Sequence, residues 1–78
     1  MLFRSAETGL AYASLADGAY GDAIARFERV LRRAPGYVPA IVGKGDAQAG
    51  AGRVEDAIRS FNEALVVDAS LEIGRAHV

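Results

Sequence analysis

Few side chains of this sequence could perform catalysis, and none stands in the arrangement that catalysis needs. Cysteine is absent, and the single histidine, His77, lies next to the last residue. The Gly-Lys-Gly segment at 43–45 lacks the spacing of a phosphate-binding loop. The adjacent acids at 55–56 have no basic partner arranged for acid–base chemistry. The sequence therefore predicts a protein that is not an enzyme and that holds neither a metal ion nor a cofactor.

Composition narrows the classes of partner. The 78 residues include 9 basic and 10 acidic side chains, for a net charge of −1. Because Lys and Arg are scattered among the acids, the sequence lacks the basic patch typical of nucleic-acid binding. No apolar run approaches the roughly 18 residues that a membrane span needs. We therefore expect a single small domain whose partner is neither a nucleic acid nor a membrane.

The elements that position the remaining side chains follow from an internal repeat of 34 residues. Several identities recur at this spacing, among them Gly18/Gly52, Asp22/Asp56, Ala23/Ala57, Ile24/Ile58, Phe27/Phe61 and Leu31/Leu65. A fixed period of this length is typical of repeat proteins in which each unit is one helical hairpin. Apolar periodicity and the Gly and Pro breaks predict helices over about 6–16, 20–33, 39–49 and 54–67. Three glycines weaken the third helix, and Gly45 is expected to mark a close helix crossing.

These residues resemble the tetratricopeptide repeat family, whose unit has 34 residues and two antiparallel helices. The family's small and aromatic core positions fall on Ala23, Phe27, Leu31, Ala57, Phe61 and Leu65. The early tryptophan and the first-helix tyrosine of the family are missing, as is the closing proline of the second unit. The residues at those positions are Glu7 and Ile41, Ser14 and Gln48, and Ala69. The resemblance implies an all-α fold of two tandem helix-turn-helix hairpins, an α-solenoid fragment with repeats at 6–37 and 38–71.

The resemblance also implies a concave, peptide-binding groove lined by the first helix of each unit. The matching positions are Thr8, Tyr12, Leu15 and Ala16, then Val42, Asp46, Ala49 and Gly50. Tyr12 is the best single contact, because its ring offers rigid apolar area and a hydroxyl. The alternatives are that Tyr12 packs against a preceding repeat and that Asp46 is a solvated helix charge. The cationic clamp with which one family subtype binds a terminal carboxylate is absent from these positions.

The two ends of the chain differ in character from the repeats. The tail 72–78 can be back-translated into the string of a widely used sequencing adapter, and the head 1–5 into its reverse complement. Our hypothesis is that both segments derive from an adapter and that a natural insert covers about 6–71. The alternative is an ordinary terminus.

The sequence favours a protein–protein interaction scaffold, a piece of a longer repeat protein that binds a peptide or a partner domain. The alternative is a non-catalytic accessory segment of a multidomain enzyme or regulator. Self-association through uncapped repeat ends is a third hypothesis, because Phe61, Leu65 and Val66 leave apolar surface partly open.

We predict that 1–5 and 72–78 contribute almost nothing to the core. Deleting both segments should therefore change the free energy of unfolding by less than about 1 kcal/mol, as measured by thermal melting. A larger loss would show that at least one of the two ends packs against the repeats.

Overall fold

The computed structural model describes the backbone of residues 2–76 and the side chains of residues 6–69. Four helices follow one another, namely α1 (Leu2–Ala16), α2 (Tyr20–Arg33), α3 (Val38–Gly50) and α4 (Val54–Ala76). Helices α1 and α2 form one hairpin, and α3 and α4 form the next. Helix α3 also packs against both helices of the first hairpin, whereas α4 packs against no other described helix than α3. The predicted all-α class with two helical hairpins is confirmed.

The turns inside the two hairpins have the same geometry. Gly18 and Gly52 adopt positive φ angles of 79° and 84°, which glycine reaches without a steric penalty. Two backbone hydrogen bonds close each turn in the Schellman pattern, which satisfies carbonyl groups at the helix end. They run from Gly18 N–H to Leu15 O (3.0 Å) and Ala19 N–H to Ser14 O (2.9 Å), then from Gly52 N–H to Ala49 O (3.1 Å) and Arg53 N–H to Gln48 O (2.8 Å). The sequence repeat is thus a structural repeat at the level of single hydrogen bonds.

Helix α4 is longer than the repeat length predicts. A turn was expected after residue 67, but the helix continues to Ala76. The first unit ends its second helix at Pro35-Gly36, and Pro cannot continue a helix. The equivalent pair in the second unit is Ala69-Ser70, which contains neither a proline nor a glycine to break the helix. The described backbone therefore continues as helix through the first five residues of the tail 72–78. Its side chains, like those of the head 1–5, lie outside the described residues.

The main cluster of buried apolar side chains lies between α1, α2 and α3. Phe27, Val30 and Ile41 are the largest fully buried side chains described, and Phe27 and Val30 belong to this cluster. Alanines of all three helices surround Phe27 and Val30, and they are Ala11, Ala23, Ala40 and Ala47. Small residues at these positions let the helix axes approach closely, because each contributes only one methyl group to the contact.

Aromatic rings pack directly against the glycines of α3. A Cβ added at Gly43 would lie less than 3.0 Å from three ring carbons of Phe27. One added at Gly45 would lie 2.6 Å from Cε1 of Phe61, and one at Gly50 would lie 2.6 Å from Cζ of Tyr20. The sequence singled out Gly45 alone as a close crossing. The structure shows that all three glycines are contact points, which explains their presence in a helix interior.

The predicted core positions differ in burial between the two units. Ala23, Phe27 and Ala57 are buried, and Leu31 and Phe61 are partly buried. Leu65 was placed both among the repeat-core positions and on the apolar surface left partly open, and it is 65% exposed. Its repeat equivalent Leu31 packs against the core cluster. No helix in the described part of the chain covers α4 in the same way.

We predict that Gly43→Ala destabilises the fold, although alanine is the better helix former. The new methyl group meets the ring of Phe27, which is fully buried and cannot move aside, and such overpacking costs about 1–3 kcal/mol. The matched control is Gly9→Ala at the equivalent repeat position, where no atom lies within 4 Å of the new Cβ. That change should stabilise the fold by about 0.5–1 kcal/mol.

Urea unfolding in dilute solution measures both changes. Combining Gly43→Ala with Phe27→Leu should cost less than the sum of the single changes, since the two side chains are in contact. If Gly43→Ala and Gly9→Ala raised the free energy of unfolding equally, the contact between Gly43 and the ring of Phe27 would be contradicted.

Candidate functional site

The structure separates six of the eight predicted groove residues into three groups. Thr8 is buried, and Leu15 is half-buried against the core. Tyr12, Asp46 and Ala49 are exposed. Val42 is half-buried and lines a different groove, between α3 and α4. Of these residues, Tyr12 and Asp46 are the exposed ones with polar side chains.

Tyr12 connects the two hairpins. Its ring packs edge-on against Phe27 at a centroid distance of 5.0 Å. Its hydroxyl donates a hydrogen bond of 2.8 Å to the carbonyl oxygen of Pro39, at the start of α3. These two partners lie in the hairpin of Tyr12 itself and in the next one. With 36% of its surface exposed, Tyr12 still presents an edge to a ligand.

The environment of Tyr12 favours the neutral phenol. Partial burial raises the pKa of Tyr12, and the negative charge of Asp46 and the nearby Tyr37 raise it further. The hydroxyl of Tyr12 is therefore neutral at ordinary pH and can donate its hydrogen bond to Pro39.

Thr8 is unavailable to a ligand. Its side chain is 93% buried, since only 7% of it is exposed. Its hydroxyl has no hydrogen-bond partner among the described residues. The repeat equivalent of Thr8 is Val42, which fits the same position without a polar atom to satisfy.

Polar contacts replace the family aromatics that the first helices lack. Glu7 stands at the tryptophan position and pairs with Arg26 (3.2 Å) and Arg29 (3.4 Å) of α2. Ser14 stands at the tyrosine position and donates a hydrogen bond of 3.0 Å to Asp22. That contact and the one with Arg26 lower the pKa of the Asp22 carboxyl. The sequence interpretation recorded these positions only as departures from the family.

The second hairpin has the corresponding contact in its interior. Ser60 donates a hydrogen bond of 2.6 Å to Oε1 of Gln48, and both residues are buried. Gln48 is the repeat equivalent of Ser14, so the same position of each first helix is bonded to the second helix. The signal in the sequence was a polar residue at this position in both units.

A second candidate surface is the face of α3 and α4 that points away from the first hairpin. A groove of about 280 Å³ runs along it, lined by Val38, Val42, Phe61, Ala64, Leu65 and Asp68. Beside it, Val54 and Ile58 are 59% and 53% exposed. The repeat equivalents of Ile58 and Phe61 are Ile24 and Phe27, which are 6% and 0% exposed in the first hairpin. This surface, which we call the uncovered face, therefore corresponds to the one that α3 covers within the chain.

Comparison with known proteins agrees with this architecture. A model of the tetratricopeptide repeat family matches residues 14–75, and the chain belongs to that family. Searches of curated proteins and of solved structures found no match. Tetratricopeptide repeats generally mediate protein–protein interactions and are typically non-catalytic scaffolds. Within the described residues, no helix has the length and apolar character to cross a membrane.

We predict that Tyr12 makes the fold sensitive to alkali. Because folding raises the pKa of Tyr12, its contribution to stability is complete below the ordinary tyrosine pKa of about 10. It is lost as the pH rises through the higher pKa of the folded state, where ionisation also breaks the bond to Pro39. The Tyr12→Phe variant should be less stable by about 0.5–1.5 kcal/mol at neutral pH. Its free energy of unfolding should then fall less than that of the unmodified chain as the pH rises.

Thermal melting of both proteins from neutral to alkaline pH measures this difference. In the same series, Asp46→Asn should lower the pKa of Tyr12, followed by NMR of its ring protons, because the carboxylate charge is removed. If the unmodified chain and the Tyr12→Phe variant lost the same stability at alkaline pH, the proposed role of Tyr12 would be contradicted.

Proposed function

We propose that the chain is a protein-interaction module whose concave surface binds a peptide or an exposed segment of a partner domain. The binding unit comprises the two repeats at 6–37 and 38–71. The single observation that supports the proposal is that Tyr12 and Asp46 both stay exposed, with Tyr12 held at the junction of the two hairpins by its hydrogen bond to Pro39.

The chemistry of this surface favours a basic ligand. Asp46 is exposed, and its carboxylate takes part in none of the salt bridges among the described residues. A Lys or Arg of the ligand can form a charge-assisted hydrogen bond with it, which is stronger than one between neutral groups. The exposed edge of Tyr12 and the small Ala49 leave space for an apolar side chain beside that cation.

A ligand that offers a terminal carboxylate fits less well. The described groove positions are Thr8, Tyr12, Leu15, Ala16, Val42, Asp46, Ala49 and Gly50, and none of them is cationic. A carboxylate placed near Asp46 would be repelled. The surface therefore favours an internal segment with a positive charge over a free C-terminus.

Selection from a phage-displayed library of random peptides tests the proposal. We expect the selected peptides to contain Lys or Arg next to an apolar residue. Titration of one such synthetic peptide should shift the amide NMR signals of Tyr12, Asp46 and Ala49. Peptides that shift only signals of α4 would place the binding surface elsewhere and contradict the proposal.

A pair of charge reversals provides the control. Asp46→Lys should weaken binding of the selected peptide about tenfold or more, a difference of about 1.4 kcal/mol, because the ligand's cation loses its partner and meets a like charge. Glu28→Lys makes the same change in net charge at an exposed position of α2, and it should leave the affinity within about twofold. Equal weakening by both would indicate a non-specific charge effect and not a site at Asp46.

A further inference from the structure

We propose that copies of this chain stack head to tail, with α1 of one copy lying on the uncovered face of the next. The contact would repeat the one that α3 makes with the first hairpin inside each chain. It is centred on Gly9 of α1 and on Phe61 and Leu65 of the uncovered face, away from Tyr12 and Asp46, so it goes beyond the proposed peptide binding.

The accepting surface is the uncovered face. Its members occupy the same repeat positions as residues that α3 covers in the first hairpin. Ile24 and Phe27 are 6% and 0% exposed there, whereas Ile58 is 53% exposed and Phe61 is only partly buried. The same apolar side chains are thus buried once and left open once. Covering apolar surface of this kind with a helix lowers the free energy, because the surface is removed from water.

The covering surface is a stripe of small residues. Helix α3 presents Ala40, Gly43, Ala47 and Gly50 to the first hairpin, where Ala40 and Ala47 join the core and the two glycines meet Phe27 and Tyr20. Helix α1 carries Ala6, Gly9, Ala13 and Ala16 at the equivalent positions, and all four are exposed. A helix with the required stripe is therefore present on the opposite end of the same molecule.

One contact fixes the register of the two surfaces. In the chain, the ring of Phe27 lies on Gly43, the glycine of the following first helix. By the same repeat step, the half-exposed ring of Phe61 would lie on Gly9 of the next copy. No atom lies within 4 Å of the position that a Cβ at Gly9 would take. The space that the ring would occupy in the stack is open in the single chain.

The occupant is a second copy of this chain because both halves of the contact are exposed on each molecule. Since the two surfaces differ, the contact is heterologous, and it leaves one face open at each end of an assembly. Copies can then add without closing a dimer. The net charge of −1 adds little repulsion between them.

Sedimentation equilibrium on the full chain tests the stacking. We expect the weight-average mass to rise with concentration past that of a dimer, without a plateau. Gly9→Leu should return the chain to monomer mass, because the larger side chain fills the space for Phe61. Leu65→Glu should do the same from the accepting side, because stacking would bury an unpaired carboxylate. Ala13→Glu serves as a second change on α1 if Gly9→Leu disturbs folding, which circular dichroism reports.

Matched control variants exist for both surfaces. Gly21→Leu also adds a side chain where no atom lies within 4 Å, but it stands on α2, outside the stripe. Val66→Glu changes a residue as exposed as Leu65, whose repeat equivalent Arg32 stays exposed in the first hairpin. Both controls should associate like the unmodified chain.

Mixing the two monomeric variants decides the geometry. Gly9→Leu keeps an intact accepting face, and Leu65→Glu keeps an intact α1, so an equimolar mixture should form a heterodimer and nothing larger. Three results would overturn the proposal: an unmodified chain that stays monomeric at every concentration, a closed dimer that is insensitive to both variants, or a mixture that remains monomeric.

Discussion

The contact between aromatic rings and the glycines of α3 is the constraint on which the remaining structure depends. Helix α3 packs against all three other helices, and α4 is held by α3 alone among the described helices. Each glycine costs up to about 1 kcal/mol of helix propensity relative to alanine. The rings of Phe27, Phe61 and Tyr20 offset that cost, because the missing methyl groups allow them to reach the helix backbone and leave water. A helix that is weak in isolation is therefore the central element of the folded chain.

Polar contacts within each hairpin complement this apolar junction. Glu7 and Ser14 of α1 stand where the family has large aromatic side chains, and they join α1 to α2 through charge pairs and a hydrogen bond to Asp22. Gln48 of α3 stands at the position equivalent to Ser14 and joins α3 to α4 through its hydrogen bond with Ser60. The buried bond between Ser60 and Gln48 has the greater effect on stability, because loss of one partner would leave a buried polar group unsatisfied. The exposed contacts of Glu7 and Asp22 contribute less.

The two hairpins have the same local geometry but different surroundings, and the proposed binding surfaces follow from that difference. The first hairpin is covered by α3, which buries Phe27 and holds Tyr12 between the two units. The second hairpin presents the same apolar positions to solvent. A concave surface near Tyr12 and Asp46 and an uncovered face near Phe61 and Leu65 are therefore both consequences of one repeat step. They offer different chemistry, a charged edge in the first case and an apolar groove in the second.

The sequence by itself determined the repeat length, the helical hairpins and the turn positions, since these depend on local interactions. Gly18 and Gly52 end their helices through local turn geometry, whatever the neighbouring helices are. The spacing of Ala23, Phe27 and Leu31 likewise sets an apolar helix face. Tertiary structure decided what each face meets. Leu31 and Leu65 occupy the same repeat position, yet only Leu31 packs against the core cluster, because burial depends on a neighbouring helix and not on the residue. The partners of Tyr12 and Gly43 were decided in the same way, since they rest on contacts between units that a local pattern does not contain.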